Sequence, residues 1–343
     1  MPSFGLDISD ESLKFVEIVN TKDGIRMGRH GERKIPAGVI ELGKIQDPQK
    51  LETILASLKK EEGVKSVRVS LPEGQIYLFK LKLDKAGLEH VREAIELSLE
   101  EHIPIPAQDA IFDYEILSQD DQYLFIQVTA IPKGVLENYL VVFRNADIWV
   151  KSFELEGQAI SRAIIKKGDK GTYMIVDFGE KSTGISILTN GVVMFTSTLD
   201  VGGMTLNNMI SKNFKVTMEE AEKMKKEYGL QRNMANKEIF PVLLNSVSIL
   251  RDEIAKHFLY WNTHKEETGI QVPKIEKVYL CGGDSNLTGL ADYFAISLKT
   301  KVEMGNVWIN VMDTTKYVPD VNFKQALSFA AALGLALGDF END

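Results

Sequence analysis

The chain contains two copies of one pattern, in which an aspartate closes an apolar strand and a short loop and a β-hairpin follow. Asp7 closes the strand of the first copy and Asp177 that of the second. Each copy continues to a turn dipeptide, Asp23-Gly24 or Asn190-Gly191, which favours a tight hairpin. We therefore predict an internally duplicated α/β protein whose halves face each other across one cleft. A carboxylate on each wall of that cleft suits a metal-bound polyphosphate.

Charge and composition exclude several classes of protein. A net charge of −9 argues against nucleic-acid binding, because clustered Lys and Arg are needed to hold phosphate backbones. The single cysteine, Cys281, excludes an intramolecular disulfide framework. The start of the chain shows no pattern of a secretory signal peptide. No apolar run is long enough to span a bilayer, which takes about 20 residues. The acidic end, GDFEND, lacks a basic amphipathic helix, so we expect no direct membrane insertion.

The segment between the two copies predicts an additional small unit. Hydrophobic periodicity predicts helices over 49–61, from Asp84 to His102 and over 133–145, and strands from Val64, Ala110 and Gln122. The helix after Asp84, with Leu88 on its apolar stripe, should end at His102 because two prolines follow in IPIP. We interpret 78–149 as a compact β/α unit inserted into the first half.

The second half repeats the plan of the first. Gly202 and Gly203 begin an amphipathic helix, where free backbone N–H groups can face an anion. A long helix is predicted over 246–264, and the Gly282-Gly283 pair forms a turn between a strand and a helix. The apolar run from Ala326 is too short to span a membrane and predicts a buried helix.

These features resemble a known superfamily. Asp7 with its hairpin, the Asp177-x-Gly179-x-x-x-Thr183 pattern and the Leu280-x-Gly282-Gly283 turn are similar, in order and spacing, to the two phosphate loops and the adenosine loop of actin, Hsp70 and hexokinase. More narrowly, EEHIPIPAQDAIFDYEIL from Glu100 resembles a segment of the PilM family, actin-like assembly proteins of type IV pilus machines. The resemblance covers essentially the whole chain. It implies an α/β, actin-like (ribonuclease H-like, duplicated) ATP-binding fold with the small inserted β/α subdomain that PilM shares with FtsA.

The resemblance also implies four subdomains. Their ranges are 1–77 with 150–172 and 318–343 for the first actin-like subdomain, 78–149 for the inserted one, 173–210 with 273–317 for the second actin-like subdomain, and 211–272 for a helical one.

Roles for individual positions follow from the same resemblance. Asp7 and Asp177 would act on Mg²⁺, mostly through its water molecules. Glu156 falls where the superfamily carries an acidic residue near the attacking water. The other nucleotide-binding positions are Ser9, Ser12 and Lys14 in the first phosphate loop, Gly179 and Thr183 in the second, Gly202, Gly203, Glu222 and Lys225 beside the ribose and base, and Gly282, Gly283, Asp284 and Asn286 in the adenosine loop.

The first phosphate loop departs from the pattern of the superfamily. Ser9 stands where glycine is usual, and Asp10 and Glu11 add negative charge beside the expected phosphate site. Each uncompensated like charge would cost about 1 kcal/mol or more at short range. The resemblance therefore implies an ATP- or ADP-binding scaffold with Mg²⁺ that is at most a weak ATPase.

The implied partner is the N-terminal cytoplasmic peptide of a PilN-like bitopic membrane protein. In the PilM family this peptide enters a groove between the first actin-like subdomain and the inserted unit. The protein would then lie in the cytoplasm, at the inner face of the membrane, with homo-oligomer formation left open. Two alternatives remain: an FtsA-like filament former, which should carry a C-terminal membrane-targeting helix, and a sugar-kinase-class phosphotransferase, which should lack the inserted unit.

Overall fold

The computed structural model describes residues 3–22, 24–85, 90–231, 237–263, 273–312, 318–319 and 321–340. The strands are β1 (Phe4–Ile8), β2 (Ser12–Thr21), β3 (Gly24–Lys34), β4 (Ile40–Glu41), β5 (Lys44–Ile45), β6 (Ser66–Ser70), β7 (Tyr77–Asp84), β8 (Ala110–Gln119), β9 (Tyr123–Pro132), β10 (Trp149–Glu154), β11 (Thr172–Phe178), β12 (Thr183–Thr189), β13 (Val192–Leu199), β14 (Lys277–Cys281) and β15 (Lys301–Met304). The helices are α1 (Pro48–Glu62), α2 (Val91–His102), α3 (Lys133–Asn145), α4 (Glu156–Ile164), α5 (Gly203–Phe214), α6 (Met218–Tyr228), α7 (Ile239–Thr263), α8 (Leu290–Leu298), α9 (Phe323–Ala326) and α10 (Ala330–Leu337).

Two five-stranded sheets of the same topology form the centre of the fold. The first sheet has the strand order β3-β2-β1-β6-β10, and the second has the order β13-β12-β11-β14-β15. In each sheet three strands form an antiparallel meander, and the meander's first strand continues into two parallel neighbours. This equivalence confirms the predicted internal duplication.

Both predicted hairpins are present. Asn190 and Gly191 have φ angles of 53° and 79°, the left-handed pair that a two-residue turn between β12 and β13 requires. In the first sheet β2 pairs with β3 from Thr21 opposite Gly24 onward. Asp23, the other residue of that predicted turn, lies outside the described residues.

The two sheets share a middle layer made by α4 and α10. A buried cluster joins these helices to side chains of both sheets, including Ile18 and Leu188. The helices approach so closely that a Cβ on Gly334 would lie 1.7 Å from the carbonyl oxygen of Ala159. Every residue of α10 is buried, which confirms the buried helix predicted from the apolar run at Ala326.

The outer faces of the sheets carry further helices. On the first sheet α1 and α3 pack together over one core, with Leu51, Leu55 and Leu58 as the fully buried stripe of α1. The second sheet packs against α5, α7 and α8. The long helix predicted over 246–264 begins earlier than expected, at the start of α7, and His264 lies outside the described residues.

A third sheet, of order β7-β9-β8, packs with α2 around its own core. The helix predicted from Asp84 begins instead at Val91, because β7 pairs with β9 as far as Asp84 opposite Tyr123. It ends at His102 as predicted, and Leu88 falls outside the described part of the chain. None of the helices among the described residues is both long and apolar enough to cross a membrane.

Candidate functional site

Asp7 and Asp177 meet around one ammonium group, that of Lys14. Asp7 lies opposite Lys14 in the β1–β2 ladder, and its Oδ1 accepts a hydrogen bond of 2.8 Å from Ser70 Oγ. Asp177 has the equivalent place near the end of β11. Burial lowers the pKa of Lys14, but the surrounding carboxylates, with Asp7 and Asp177 first among them, outweigh burial and raise it overall. The structure therefore brings both aspartates into one cleft between the two sheets.

Glu156, the first residue of α4, adds a third carboxyl to this cluster. Burial, followed by the charges of Asp7 and Asp177, raises the pKa of Glu156 well above its ordinary value. Burial also raises the pKa of Asp177, and the two side chains are hydrogen-bonded to each other. A hydrogen bond between two carboxyl groups requires a proton on one of them. We assign that proton to Glu156, since its ionised form would face both aspartates.

Glu73 is a fourth member of the cluster, and the sequence interpretation missed it. It begins a 3-10 turn after β6 and reaches the second sheet, where its Oε2 lies 3.6 Å from the place that a Cβ on Gly184 would take. Burial, with the charge of Asp177 adding to it, raises the pKa of Glu73 to about 7. The Gly157 backbone N–H favours its charged form and offsets part of that rise.

A sequence signal for Glu73 did exist. It follows β6, which pairs in parallel with β1, so both strands deliver their ends to the same edge of the first sheet. An acidic residue in the loop after such a strand is placed beside Asp7 by topology. The prediction of β6 alone did not reveal the position of Glu73, because the sequence of one strand does not determine which strand pairs with it.

The two phosphate loops close in the same way. The Ser9 N–H donates to the Ser12 carbonyl over 2.9 Å, and the Gly179 N–H donates to the Ser182 carbonyl over 3.0 Å. These residues have matching positions after Asp7 and Asp177. Ser9 Oγ also accepts the Ser12 N–H over 3.1 Å. Ser9 therefore keeps the backbone geometry of its glycine counterpart and adds a hydroxyl group to it.

Asp10 and Glu11 are both engaged by other groups. Asp10 accepts the backbone N–H groups of residues 42 and 43, at 2.8 and 3.0 Å, and so holds the turn between β4 and β5. Glu11 pairs with Lys181 of the second phosphate loop at 3.5 Å, which links the two loops across the cleft. The expected excess negative charge at the first loop is thus partly compensated within the chain.

The start of α5 differs from its prediction. The N–H groups of residues 203 and 204 donate to the carbonyls of Gly179 and Glu180, at 3.0 and 2.7 Å. The prediction that free N–H groups here can face an anion is therefore wrong for these two donors. The physical reason is that the second phosphate loop folds onto the helix start and caps it. Gly202 has no room for a side chain, since a Cβ would lie 2.4 Å from the Glu180 carbonyl oxygen.

Lys225 and Asp284 form a buried ion pair that joins α6 to the adenosine loop. The Lys225 side chain is 5% exposed, and its ammonium group contacts Asp284 and donates to the Gly203 carbonyl over 3.2 Å. A Cβ on Gly203 would lie 2.0 Å from Asp284 Oδ2, so this contact requires glycine. Glu222 instead pairs with Lys226 on the surface of the same helix.

The adenosine loop lies directly against the carboxylate cluster. Gly282 has a φ of 87°, and a Cβ there would lie 2.5 Å from Asp177 Oδ1. The Asn286 amide holds the loop by donating to the Gly283 carbonyl over 3.1 Å. Thr183 differs from its expected role, because its buried hydroxyl already donates to a main-chain carbonyl over 2.6 Å. The structure thus places the predicted adenosine loop against both Asp177 and the start of α5.

The chemistry of this site is that of an excess of carboxylates. Asp7, Glu156 and Asp177 lie around Lys14, and Glu73 lies beside the two aspartates, so full ionisation would leave a net negative charge in a buried cleft. A cation entering the cleft would relieve that repulsion. Within the described residues no three His, Cys, Asp or Glu side chains are arranged to hold a metal ion directly.

Paired sheets of one topology, with their carboxylates facing a common cleft, define a protein of actin-like fold. The family profile of type IV pilus assembly protein PilM matches residues 5–340. The chain belongs to this family. Membership decides against the FtsA-like and sugar-kinase alternatives as the identity of the chain.

Comparisons with individual proteins agree with this fold. The solved PilM–PilN type IV pilus biogenesis complex superposes with a TM-score of 0.80, at 22% identity, over 99% of each chain. MreB5 of Spiroplasma citri bound to ADP superposes with a TM-score of 0.57, at 14% identity, over 99% of this chain and 96% of that one. Cell division protein FtsA of Bacillus subtilis is 31% identical over 98 residues, which are 28% of this chain and 22% of FtsA. The chain spans between 22% and 51% of the length of three curated relatives it matches.

Proposed function

We propose that this protein is a cytoplasmic, nucleotide-binding scaffold of type IV pilus assembly that holds Mg-ATP or Mg-ADP in the cleft between its sheets. The buried carboxylate cluster around Lys14 carries this proposal, because it combines a cation-attracting charge with two turn loops that face each other. Nucleotide-bound MreB5 has the same fold. Asp7 and Asp177 would attract the hydrated Mg²⁺, and Lys14 would contact the phosphates.

The remaining site residues take their proposed places around the nucleotide. Ser9 and Ser12 would contact the phosphates from the first loop and Gly179 from the second. The base and ribose would lie over the surface made by the start of α5, the part of α6 from Glu222 to Lys225 and the adenosine loop, with these residues: Gly202, Gly203, Glu222, Lys225, Gly282, Gly283, Asp284 and Asn286. Thr183 would support the second loop through its main-chain bond and not through the ligand.

We propose at most weak ATP hydrolysis. Glu156 would position the attacking water, but it shares a proton with Asp177. A protonated carboxyl cannot accept a proton from water, so it is a poor general base. Displacement of that proton by a bound cation would be required before Glu156 could act.

A fluorescent ATP analogue tests the nucleotide proposal. Titration of the protein with the analogue should show saturable binding with Mg²⁺ and much weaker binding with EDTA. The double variant Asp7→Asn/Asp177→Asn should weaken Mg-dependent binding at least tenfold. Asp252→Asn, an exposed position on α7, is the matched control and should bind as the wild type does. An affinity for the analogue that changes neither with Mg²⁺ nor in the double variant would refute the assignment of Asp7 and Asp177 to the nucleotide site.

We further propose that the partner is the N-terminal cytoplasmic peptide of a PilN-like membrane protein, which recruits the scaffold to the inner face of the membrane. The solved PilM–PilN complex, whose PilM fold this chain shares, supports the proposal. The proposal keeps the predicted division into four subdomains. The packing of α3 against α1 favours one change, an inserted unit that ends near Pro132. Calorimetric titration with the synthetic PilN peptide of the same organism, against a scrambled peptide, tests the interaction. Equal heats for both peptides would rule it out.

A further inference from the structure

The ion pair between Glu11 and Lys181 joins the two halves of the protein across the cleft. Glu11 Oε1 lies 3.5 Å from Lys181 Nζ. Glu11 belongs to the first phosphate loop and Lys181 to the second. Neither side chain has a place in the proposed nucleotide site, although both loops belong to that site.

The pair lies beside residues proposed for the other end of the nucleotide. Burial, and after it the charges of Glu11, Asp284 and Glu222, raise the pKa of Glu180, the residue before Lys181. Asp284 and Glu222 belong to the surface proposed for the base and ribose. Glu11 is therefore near both the second phosphate loop and that surface, where the phosphate chain of a bound nucleotide would pass.

The second phosphate loop fixes the backbone around Lys181 and leaves the side chain in contact with water. The Glu180 carbonyl accepts the N–H of residue 204 over 2.7 Å, and the Ser182 carbonyl accepts the Gly179 N–H over 3.0 Å. The Lys181 side chain is 56% exposed, and that of Glu11 is 29% exposed. Because a lysine ammonium group stands on a flexible four-carbon stem, Lys181 can change its partner without movement of the loop.

The charge of the cleft favours such a change of partner. Lys14 already faces the carboxylates of Asp7, Asp177 and Glu156, so its one positive charge is balanced before a phosphate chain enters. An ion pair between exposed side chains is weak, because water screens it. A lysine contact with a multiply charged phosphate chain is charge-assisted and stronger. Lys181 therefore gains when a phosphate group replaces Glu11 as its partner.

We infer that Lys181 is a phosphate-binding residue of the second loop and that Glu11 competes with the phosphate chain for it. This inference rests on the proposed nucleotide site. In the absence of nucleotide, Lys181 pairs with Glu11 and links the two loops. On binding, Lys181 leaves Glu11 and turns its ammonium group to the phosphate chain. Glu11 then stays nearby as a like charge, so it lowers the affinity for nucleotide.

Calorimetric titration of the whole protein with Mg-ATP tests both roles. Lys181→Met should weaken binding by about fivefold or more, because a charge-assisted contact is lost. Glu11→Gln should tighten binding by about threefold or more, because both a competitor and a like charge are removed. The matched controls are Lys60→Met and Glu96→Gln, at exposed positions of α1 and α2, and they should bind as the wild type does. Thermal denaturation establishes that all four variants are folded.

Acetylation of Lys181 by an N-hydroxysuccinimide ester, quantified by mass spectrometry, gives a readout that does not depend on affinity. Without nucleotide, Glu11→Gln should raise the rate of acetylation of Lys181 by about twofold or more, because the ammonium group is released from its carboxylate partner. In the wild type, saturating Mg-ATP should lower this rate by about threefold or more, and adenosine, which carries no phosphate, should not lower it. Acetylation of Lys60 is the internal reference.

Any of three results would overturn the inference: Mg-ATP binding that is unchanged in Lys181→Met, an acetylation rate of Lys181 that Mg-ATP does not lower, or one that Glu11→Gln does not raise. Failure of the proposed function gives a different result, because the wild type itself would then show no saturable binding of Mg-ATP. That result would overturn the phosphate role of Lys181 as well. The effect of Glu11→Gln on acetylation, which needs no nucleotide, would still show the ion pair.

Discussion

The substitution Glu73→Gln offers a direct test of the electrostatics of the cleft. The pKa of Glu73 is raised from 4.5 to about 7, with burial as the main cause. Between these two pH values the folded state keeps a proton on Glu73 that the unfolded state loses, so the free energy of unfolding falls as the pH rises through this window. At 1.36 kcal/mol per pKa unit, the loss for this group is about 3 kcal/mol once Glu73 is fully ionised.

Glutamine has nearly the same shape as glutamate but never ionises, so it removes this loss. Asp7, Glu156 and Asp177 interact electrostatically with Glu73 and readjust when its charge is removed. A single substitution therefore recovers only part of this loss of stability. We expect Glu73→Gln to raise the free energy of unfolding by about 1 to 2 kcal/mol at pH 8, and by clearly less at pH 5.

Urea denaturation at pH 5 and pH 8 measures the effect. The important quantity is the free energy of unfolding of Glu73→Gln minus that of the wild type, compared between pH 5 and pH 8. A purely structural consequence of the substitution would give a similar difference at both pH values. Glu219→Gln, at an exposed position of α6, is the control and should give no pH-dependent difference. If Glu73→Gln raises the free energy of unfolding equally at both pH values, or more at pH 5, then Glu73 is not a buried proton-binding group.

Two further substitutions test the packing that positions the cleft. Gly334→Ala should lower the free energy of unfolding by more than about 3 kcal/mol in urea, because its Cβ would lie 1.7 Å from the Ala159 carbonyl oxygen and must push α10 from α4. Gly134→Ala, where nothing lies within 4 Å, should be neutral or stabilising by up to about 1 kcal/mol, and equal effects at the two glycines would contradict the close packing. Lys225→Met should cost about 3 kcal/mol, because it leaves the Asp284 carboxylate without its buried partner. A melting temperature unchanged from that of the wild type would show that this ion pair does not stabilise the fold.

Local features of the chain were predictable because they depend on neighbouring residues. The turn at Asn190-Gly191, the exposed and buried faces of α1, and the end of α2 before Pro104 all follow from residue type and short-range period. The duplication was visible for the same reason, since each copy is a local pattern that repeats. The start of α2 was misplaced because strand pairing with β9, and not local preference, keeps Asp84 extended.

The contents of the cleft were predictable only in part. Asp7 and Asp177 stood out because each lies in a recognisable strand–loop pattern. Glu73 lies in an ordinary turn, and its pKa is raised only by its burial in the folded protein and by the nearby charges of Asp177 and Asp7. The partner of Lys225 was likewise hidden. Glu222 is its neighbour on the same helix, but Asp284 of a distant loop forms the ion pair.

The sequence by itself determined the two strand–hairpin units, the buried helix in the apolar run from Ala326 and the kinds of residue that end the strands. Tertiary structure alone decided which carboxylates share a proton and which backbone donors of α5 are already used. The reason is physical. Turn chemistry and hydrophobic period act over a few residues, whereas burial and charge repulsion depend on distances that exist only after both sheets have packed against α4 and α10.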